Sequence, residues 1–221
     1  IHIEFSFDIN SAFQQRVFAI IGENGVGKTQ LITALPLDLA KRRENLFAPQ
    51  VPLYSKVIAV STSLYDSFDV PKNSVGFNYV YCGLACGKKD NKTILAPKEL
   101  KLKLLQTTKT INGRERAESL KNILSPLYSA DIISALFTIQ EEKIKVNQAR
   151  LVEIVDYMSS GESSLLFIFC NIVANIRYDS LILFDEPETH LHPNAITSLM
   201  SSIYQLLDEY QSYAIIVTHS P

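Results

Sequence analysis

Phe18-Ala19-Ile20-Ile21-Gly22-Glu23-Asn24-Gly25-Val26-Gly27-Lys28-Thr29 decides how this chain folds. The apolar run Val17 to Ile21 reads as a buried strand. It enters a glycine-rich turn and then a Lys-Thr pair that opens a helix, expected from Gly27 to about Leu35, with Pro36 ending or kinking it. Gly22, Gly27, Lys28 and Thr29 fit the G-x-x-x-x-G-K-[ST] phosphate loop. The glycines let the backbone curl so that successive N–H groups face phosphate oxygens. The helix N-terminus behind them adds partial positive charge. Lys28 is expected to reach the β- and γ-phosphates, and the Thr29 hydroxyl to bind Mg²⁺. The expected nucleotide-contact set is Gly22, Asn24, Gly25, Val26, Gly27, Lys28, Thr29 and Gln30.

Outward from that stretch, strand and helix patterns alternate. Ile1 to Phe7 alternates apolar and polar like a half-buried strand. Val57 to Val60 reads as a strand and Phe77 to Cys82 as an edge strand. From Pro97, which suits a first helical position, to about Val155 the pattern is helical, and three or four helices are expected. Leu165 to Ile176 is apolar on nearly every side and reads as a buried helix. Leu181 to Phe184 is a central parallel strand ending at Asp185. Pro193 to Tyr210 is an amphipathic helix, and Ala214 to Val217 a last strand. The alternation predicts an α/β fold with a mainly parallel sheet flanked by helices, and ligands at the carboxyl ends of the strands. The expected organisation is a core in two parts, residues 1–96 and 158–221, with an inserted helical lobe at 97–157.

The chain has 221 residues, of which 47% are apolar, enough for a sizeable core. Its net charge of −2 carries no global nucleic-acid signal. Residues 88–121 depart from that average, with ten Lys/Arg against four Asp/Glu. This segment is either a solvated helical face or a surface for DNA or an acidic partner. Cys82, Cys86 and Cys170 read as reduced thiols, with Cys170 a small core residue. Cys82 and Cys86 lack further nearby ligands for zinc. No stretch is long enough to span a bilayer and none resembles a signal peptide, so a cytoplasmic location is expected. The sequence opens at Ile1 rather than Met and stops at Pro221 straight after a strand and a Thr-His-Ser turn, so a longer parent protein is expected.

Three further motifs bear on chemistry. Asp185-Glu186 at a strand end supplies one carboxylate for Mg²⁺ opposite Thr29, and an adjacent one to orient and deprotonate an attacking water. Met158-Ser159-Ser160-Gly161-Glu162 contains a capping box, Ser159 with Glu162, for the helix that follows. The same geometry presents donors from Ser159 and Gly161 to an anion, and the two roles are compatible. His219 ends the last strand on the edge where phosphates are expected to lie, within reach of a γ-phosphate or the attacking water.

The order of these motifs resembles an ABC-type ATPase head, over nearly the whole chain. Met158 to Glu162 resembles the L-S-G-G-Q signature, with Ser160 and Glu162 departing from it. Asp185-Glu186-Pro187-Glu188-Thr189-His190-Leu191-His192-Pro193 resembles the D-E-P-E-x-x-L-H-P run of RecF/SMC/OLD-like ATPases, a group with many members in bacterial antiphage defence. The resemblance implies a P-loop ATPase using ATP and Mg²⁺, with Lys28, Glu186 as general base and His219 as switch histidine in catalysis. Thr29 and Asp185 become the metal ligands. Two heads would sandwich nucleotide, Ser159 and Gly161 of one facing the phosphate loop of the other. Leu191-His192 would communicate across that homodimer. The strand Val57–Val60 should lead to a glutamine, but Ser61 to Asp66 contains none; Ser61 or Ser63 is the candidate substitute. His190, His192 and Glu188 as a metal site compete with the dimer-loop reading.

The implied function is an ATP-hydrolysing, dimerising switch that controls a nuclease effector or DNA processing in bacterial antiphage defence. An ABC transporter ATPase subunit is the first rival. The absent glutamine and the His192 and Glu162 departures speak against it. A repair ATPase of the SMC type is the second, opposed by the short stretch between phosphate loop and signature and the lack of sustained heptads. A binding module without catalysis is the third, opposed by Lys28, Thr29, Asp185 and Glu186 together.

Overall fold

The computed structural model describes residues 3–5, 15–23, 25–61, 68, 77–86, 93–189, 191 and 193–219. These residues fall into two compact units. The first comprises residues 1–83, 177–187 and 210–221; the second comprises 84–176 and 188–209. The units cut across the expected blocks, because the helices at 160–175 and 193–209 fall with the lobe helices.

The first unit is built on a sheet of β1 (Val17–Ile21), β2 (Lys56–Ser61), β3 (Tyr79–Tyr81), β8 (Ser180–Asp185) and β9 (Tyr213–Thr218). The spatial order is β1-β9-β8-β2-β3, and every pairing is parallel. The fold is therefore α/β, as its alternating patterns predict. The apolar runs of β2, β8 and β9 are buried almost throughout, as strands with neighbours on both sides require. β1 differs from expectation. It is half-buried, with Ile21 55% exposed, because among the described residues only β9 borders it. Of the expected strand at residues 1–7, Ile3 to Phe5 carry no strand pairing and the rest lies outside the described residues.

Helix α1 (Lys28–Ala40) lies on one face of this sheet. Its Ile32 and Leu39 share a core with Val57, Ala59, Leu181, Leu183, Ile215 and Val217. Side chains two apart on a strand share a face, so these pairs define the helix-covered side. Pro36 does not end α1; the helix runs on to Ala40. The ring forfeits one backbone bond, and burial of Pro36 and Leu39 against the sheet offsets that loss.

The second unit holds α2 (Pro97–Gly113), α3 (Ala117–Leu124), α4 (Ala130–Leu136), α5 (Gln148–Tyr157), α6 (Ser160–Asn175) and α7 (Pro193–Glu209). Pro97 takes the first helical position of α2, and the Glu99 carboxylate accepts the Ala96 N–H at 3.2 Å. α6 is buried along most of its length, including Phe169 and Cys170 at 0% exposure. Burial pushes the thiols of Cys170 and Cys82 up to about 12, so both are unreactive.

The lobe is not wholly helical. β6 (Phe137–Gln140) and β7 (Lys143–Val146) form an antiparallel hairpin with the two-residue loop Glu141-Glu142. Both loop residues have positive φ, 51° and 61°, as a twist-matched tight hairpin demands. The carboxamide of Asn112 closes the hairpin base. It donates to the Val146 carbonyl at 3.1 Å and accepts the Val146 N–H at 2.8 Å. A further short pair, β4 (Ala85–Cys86) with β5 (Thr93–Ile94), precedes α2.

The basic stretch 88–121 is not one uniform face. Lys88, Lys89 and Lys92 lie outside the described residues. Arg116 donates to the carbonyls of Val173 and Ile176 at 2.7 and 2.9 Å, and Arg114 to that of Ala174 at 2.5 Å. These are carbonyls at the end of α6, which lack helical partners and carry the negative pole of the dipole. Lys101 pairs with Asp156. Lys98, Lys103 and Lys109 remain exposed on α2.

Two stability predictions follow from these contacts. Arg116→Ala should cost ~1.5–3 kcal/mol in urea unfolding, the range for hydrogen bonds to a charged donor. Replacing Glu141-Glu142 with Asn-Gly should stabilise, because a non-glycine residue in the left-handed region costs ~1–2 kcal/mol. A gain of about 1 kcal/mol would appear as a rise of about 2–4 °C in Tm for a chain of this size.

Candidate functional site

The phosphate loop begins where β1 ends. Gly25 and Gly27 have φ of 82° and 95°, values that favour glycine. Gly27 is the N-cap of α1, so the helix opens with Lys28 and Thr29 in its first turn. At Gly22 a Cβ would meet Val26 Cγ2 at 3.4 Å and Lys28 Cδ at 3.7 Å, ordinary contact distances beside the lysine stem. Asn24 lies outside the described residues, and Gln30 is exposed.

Lys28 is buried, with 7% exposure. Its ammonium donates to the carbonyls of Gly22 and Glu23 at 2.6 and 2.9 Å. It also lies 3.1 Å from His219 Nδ1. An ammonium only donates, so Nδ1 accepts in that contact; the same Nδ1 lies 3.2 Å from the Gly22 carbonyl, to which it can only donate. Nε2 faces Glu186 Oε1 in a short contact. Lys28, His219 and Glu186 thus form one chain of polar contacts, drawn from α1, the end of β9 and the end of β8.

Glu186 reaches this position through an unusual backbone. Its φ is 48°, and its N–H donates to the Val217 carbonyl at 2.9 Å, extending the β8–β9 ladder by one residue. The left-handed turn re-aims the side chain immediately after Asp185. A non-glycine residue held there stores strain that the surrounding structure must overcome, and such outliers cluster at functional sites.

On the other side, Thr29 Oγ1 donates to Asp185 Oδ1 at 3.3 Å, with Asp185 only 6% exposed. A hydroxyl and a carboxylate facing each other at the mouth of a phosphate loop are hard oxygen donors of the kind Mg²⁺ takes. The donor set fits the ion. Bound between Thr29, Asp185 and phosphate oxygens, Mg²⁺ would neutralise charge developing on the phosphates.

Strand parity explains what gathers here. On β2, β8 and β9 the helix-covered face carries Val57 and Ala59, Leu181 and Leu183, Ile215 and Val217. The next positions on that face are Ser61, Asp185 and His219, all at the carboxyl edge. The local patterns read Tyr81 as edge strand and Gly83 as a turn residue, with no part in the site, yet both belong to this edge. A Cβ on Gly83 would lie 1.9 Å from Tyr81 Oη and 2.6 Å from the Ser61 carbonyl, so only glycine fits. No local motif announces that packing; only the strand register could have shown it.

Ser159 and Gly161 belong to the second unit, where they open α6. Ser159 accepts the Glu162 N–H at 3.3 Å, while its own N–H and hydroxyl donate to the Glu162 carboxylate at 2.9 and 2.7 Å. The capping box is formed in full. Tyr128 Oη donates to the Glu162 carbonyl at 2.7 Å and steadies the same turn. His190 and His192 lie outside the described residues, as do 62–66, where a substitute glutamine loop would begin. Among the described residues no helix is long and apolar enough to cross a membrane.

Comparison with known proteins agrees with this geometry. Protein ea59 of Escherichia phage lambda is 28% identical over an alignment covering 99% of this chain and 48% of the relative. The chain therefore spans about half the length of that curated relative. A family model described as "AAA domain, putative AbiEii toxin, Type IV TA system" matches residues 36–221. That match starts just past the phosphate loop and takes in Asp185, Glu186 and His219. The chain belongs to this AAA domain family, whose members have a P-loop ATPase fold.

Proposed function

We propose that this domain binds ATP with Mg²⁺, hydrolyses it, and works as a dimerising switch for an effector. The contact chain Lys28–His219–Glu186 beside the facing pair Thr29–Asp185 carries the reading. A cation for phosphates, a base for water and a metal-type donor pair converge on one sheet edge. In the proposed reaction Glu186 takes a proton from water as its oxygen attacks the γ-phosphorus, and the bond to the β–γ bridging oxygen breaks. His219, its Nε2 facing Glu186, orients that carboxylate. Lys28 leaves the loop carbonyls for phosphate oxygens, and ADP and phosphate depart.

Ser159 and Gly161, at the capped start of α6, supply the donors expected to meet the nucleotide of a second copy. The exposed Lys98, Lys103 and Lys109 support a surface for DNA or an acidic effector. The toxin wording of the family description supports an effector role, with a nuclease as the proposed effector, over transport.

Lys28→Ala should weaken ATP binding by ~10–100-fold, the equivalent of the ~1.5–3 kcal/mol that a charged hydrogen-bond donor contributes. Titration with a fluorescent ATP analogue reads it, and unchanged affinity would refute the phosphate-loop role. Glu186→Gln should keep ATP affinity and lose ~10²–10⁴-fold in hydrolysis, the usual contribution of a positioned base. Sedimentation of the same variant with ATP should reveal a dimer. Near-native turnover would move the base to another residue, and a persistent monomer would remove the sandwich.

A further inference from the structure

Ser61 is the last residue of β2, on its helix-covered face. β2 presents Val57 and Ala59 to the core beneath α1, and Ser61 is next on that face. It is 1% exposed. A buried hydroxyl costs free energy unless it is hydrogen-bonded, so alanine would serve there if packing were the only demand.

Its neighbour across the sheet is Asp185. The β2–β8 register pairs Ser61 with Asp185, as it pairs Ala59 with Leu183 and Val57 with Leu181. Paired residues on adjacent strands project to the same side, so Ser61 and Asp185 share the α1 face at the carboxyl edge. Thr29 addresses Asp185 Oδ1 from the helix. Ser61 is also held firmly. The Cα of Gly83 lies so close to its carbonyl that a Cβ would approach within 2.6 Å, and the Cys82 N–H donates to the Ala59 carbonyl at 2.8 Å.

We infer that the Ser61 hydroxyl is a positioning group for Asp185, orienting its carboxylate for Mg²⁺ from the strand side while Thr29 does so from the helix side. This rests on the ATP·Mg²⁺ reading above and adds a residue to it. Groups that hydrogen-bond a ligating carboxylate set its orientation, and losing one typically costs ~10–100-fold in metal affinity.

The test uses the full chain with Mn²⁺ as a paramagnetic stand-in for Mg²⁺. Mn²⁺ affinity of the ADP complex is read by electron paramagnetic resonance, and ADP affinity is read separately in EDTA. Ser61→Ala should weaken Mn²⁺ binding ~10–100-fold and leave ADP affinity in EDTA unchanged. Ser61→Thr, which restores the hydroxyl, should return most of the Mn²⁺ affinity. Unchanged Mn²⁺ affinity in Ser61→Ala overturns the inference. So does a parallel fall in both affinities, which would assign Ser61 to the strand end alone. A wild-type protein that binds neither ADP nor Mn²⁺ overturns the ATP reading together with this one; wild-type binding that Ser61→Ala leaves untouched overturns this one only.

Discussion

A buried ammonium has to be matched by acceptors, and the carboxyl edge of the sheet in the first unit is arranged around that demand. Lys28 sits at 7% exposure, where an uncompensated charge would be costly. Two loop carbonyls and an imidazole nitrogen accept from it. The match has consequences beyond solvation. His219 joins the same cluster through Nδ1, which lies 3.1 Å from the Lys28 ammonium and 3.2 Å from the Gly22 carbonyl, while its Nε2 faces Glu186. One cation in the first turn of α1 thereby gathers a residue at the end of β9 and, through it, a carboxylate at the end of β8. Under the proposed function these acceptors are the ones a phosphate would replace.

The sheet register is the second constraint. Side-chain parity places aliphatic residues under α1 and polar ones at the edge, on three strands at once. A slip of one residue in β8 would turn Asp185 to the opposite face and bring Phe184 to the site. The buried strand interior forbids that slip, because it would also turn Leu181 and Leu183 away from the core beneath α1. Packing of apolar side chains thus guarantees the aim of the polar ones. Only Glu186 escapes parity, through its left-handed backbone.

Much of this was legible in the residues. The phosphate loop is a local signal, because glycine conformations and a helix start are decided within a dozen residues. The apolar runs of β2, β8 and β9 and the buried α6 are likewise local. What escaped was decided elsewhere in the chain. Pro36 suggested a helix end, yet burial kept the helix going to Ala40. The hairpin at 137–146 hid because Glu141-Glu142 carries none of the usual turn residues, and its base is closed by Asn112 from another element. Arg114 and Arg116 read as part of a basic face, but each spends its guanidinium on the end of α6. The edge position of β1 cannot be read from its composition, since strand order is a property of the whole sheet.

The strand order also governs when this protein can become itself. β1 and β2 come from the first third of the chain, yet they do not touch; β9 and β8 lie between them. Val17 pairs with Ala214 and Lys56 with Ser180. A ribosome making this chain therefore releases two strand-forming segments long before either can find its partner. Pairings so distant in sequence close slowly, since chain entropy is spent before any contact returns it. Until residues 180–218 emerge, the apolar side chains of β2 and the glycine-rich loop belong to a segment without its sheet. The strands at 180–218 are thus the ones that complete the sheet edge on which Lys28, Asp185 and His219 meet.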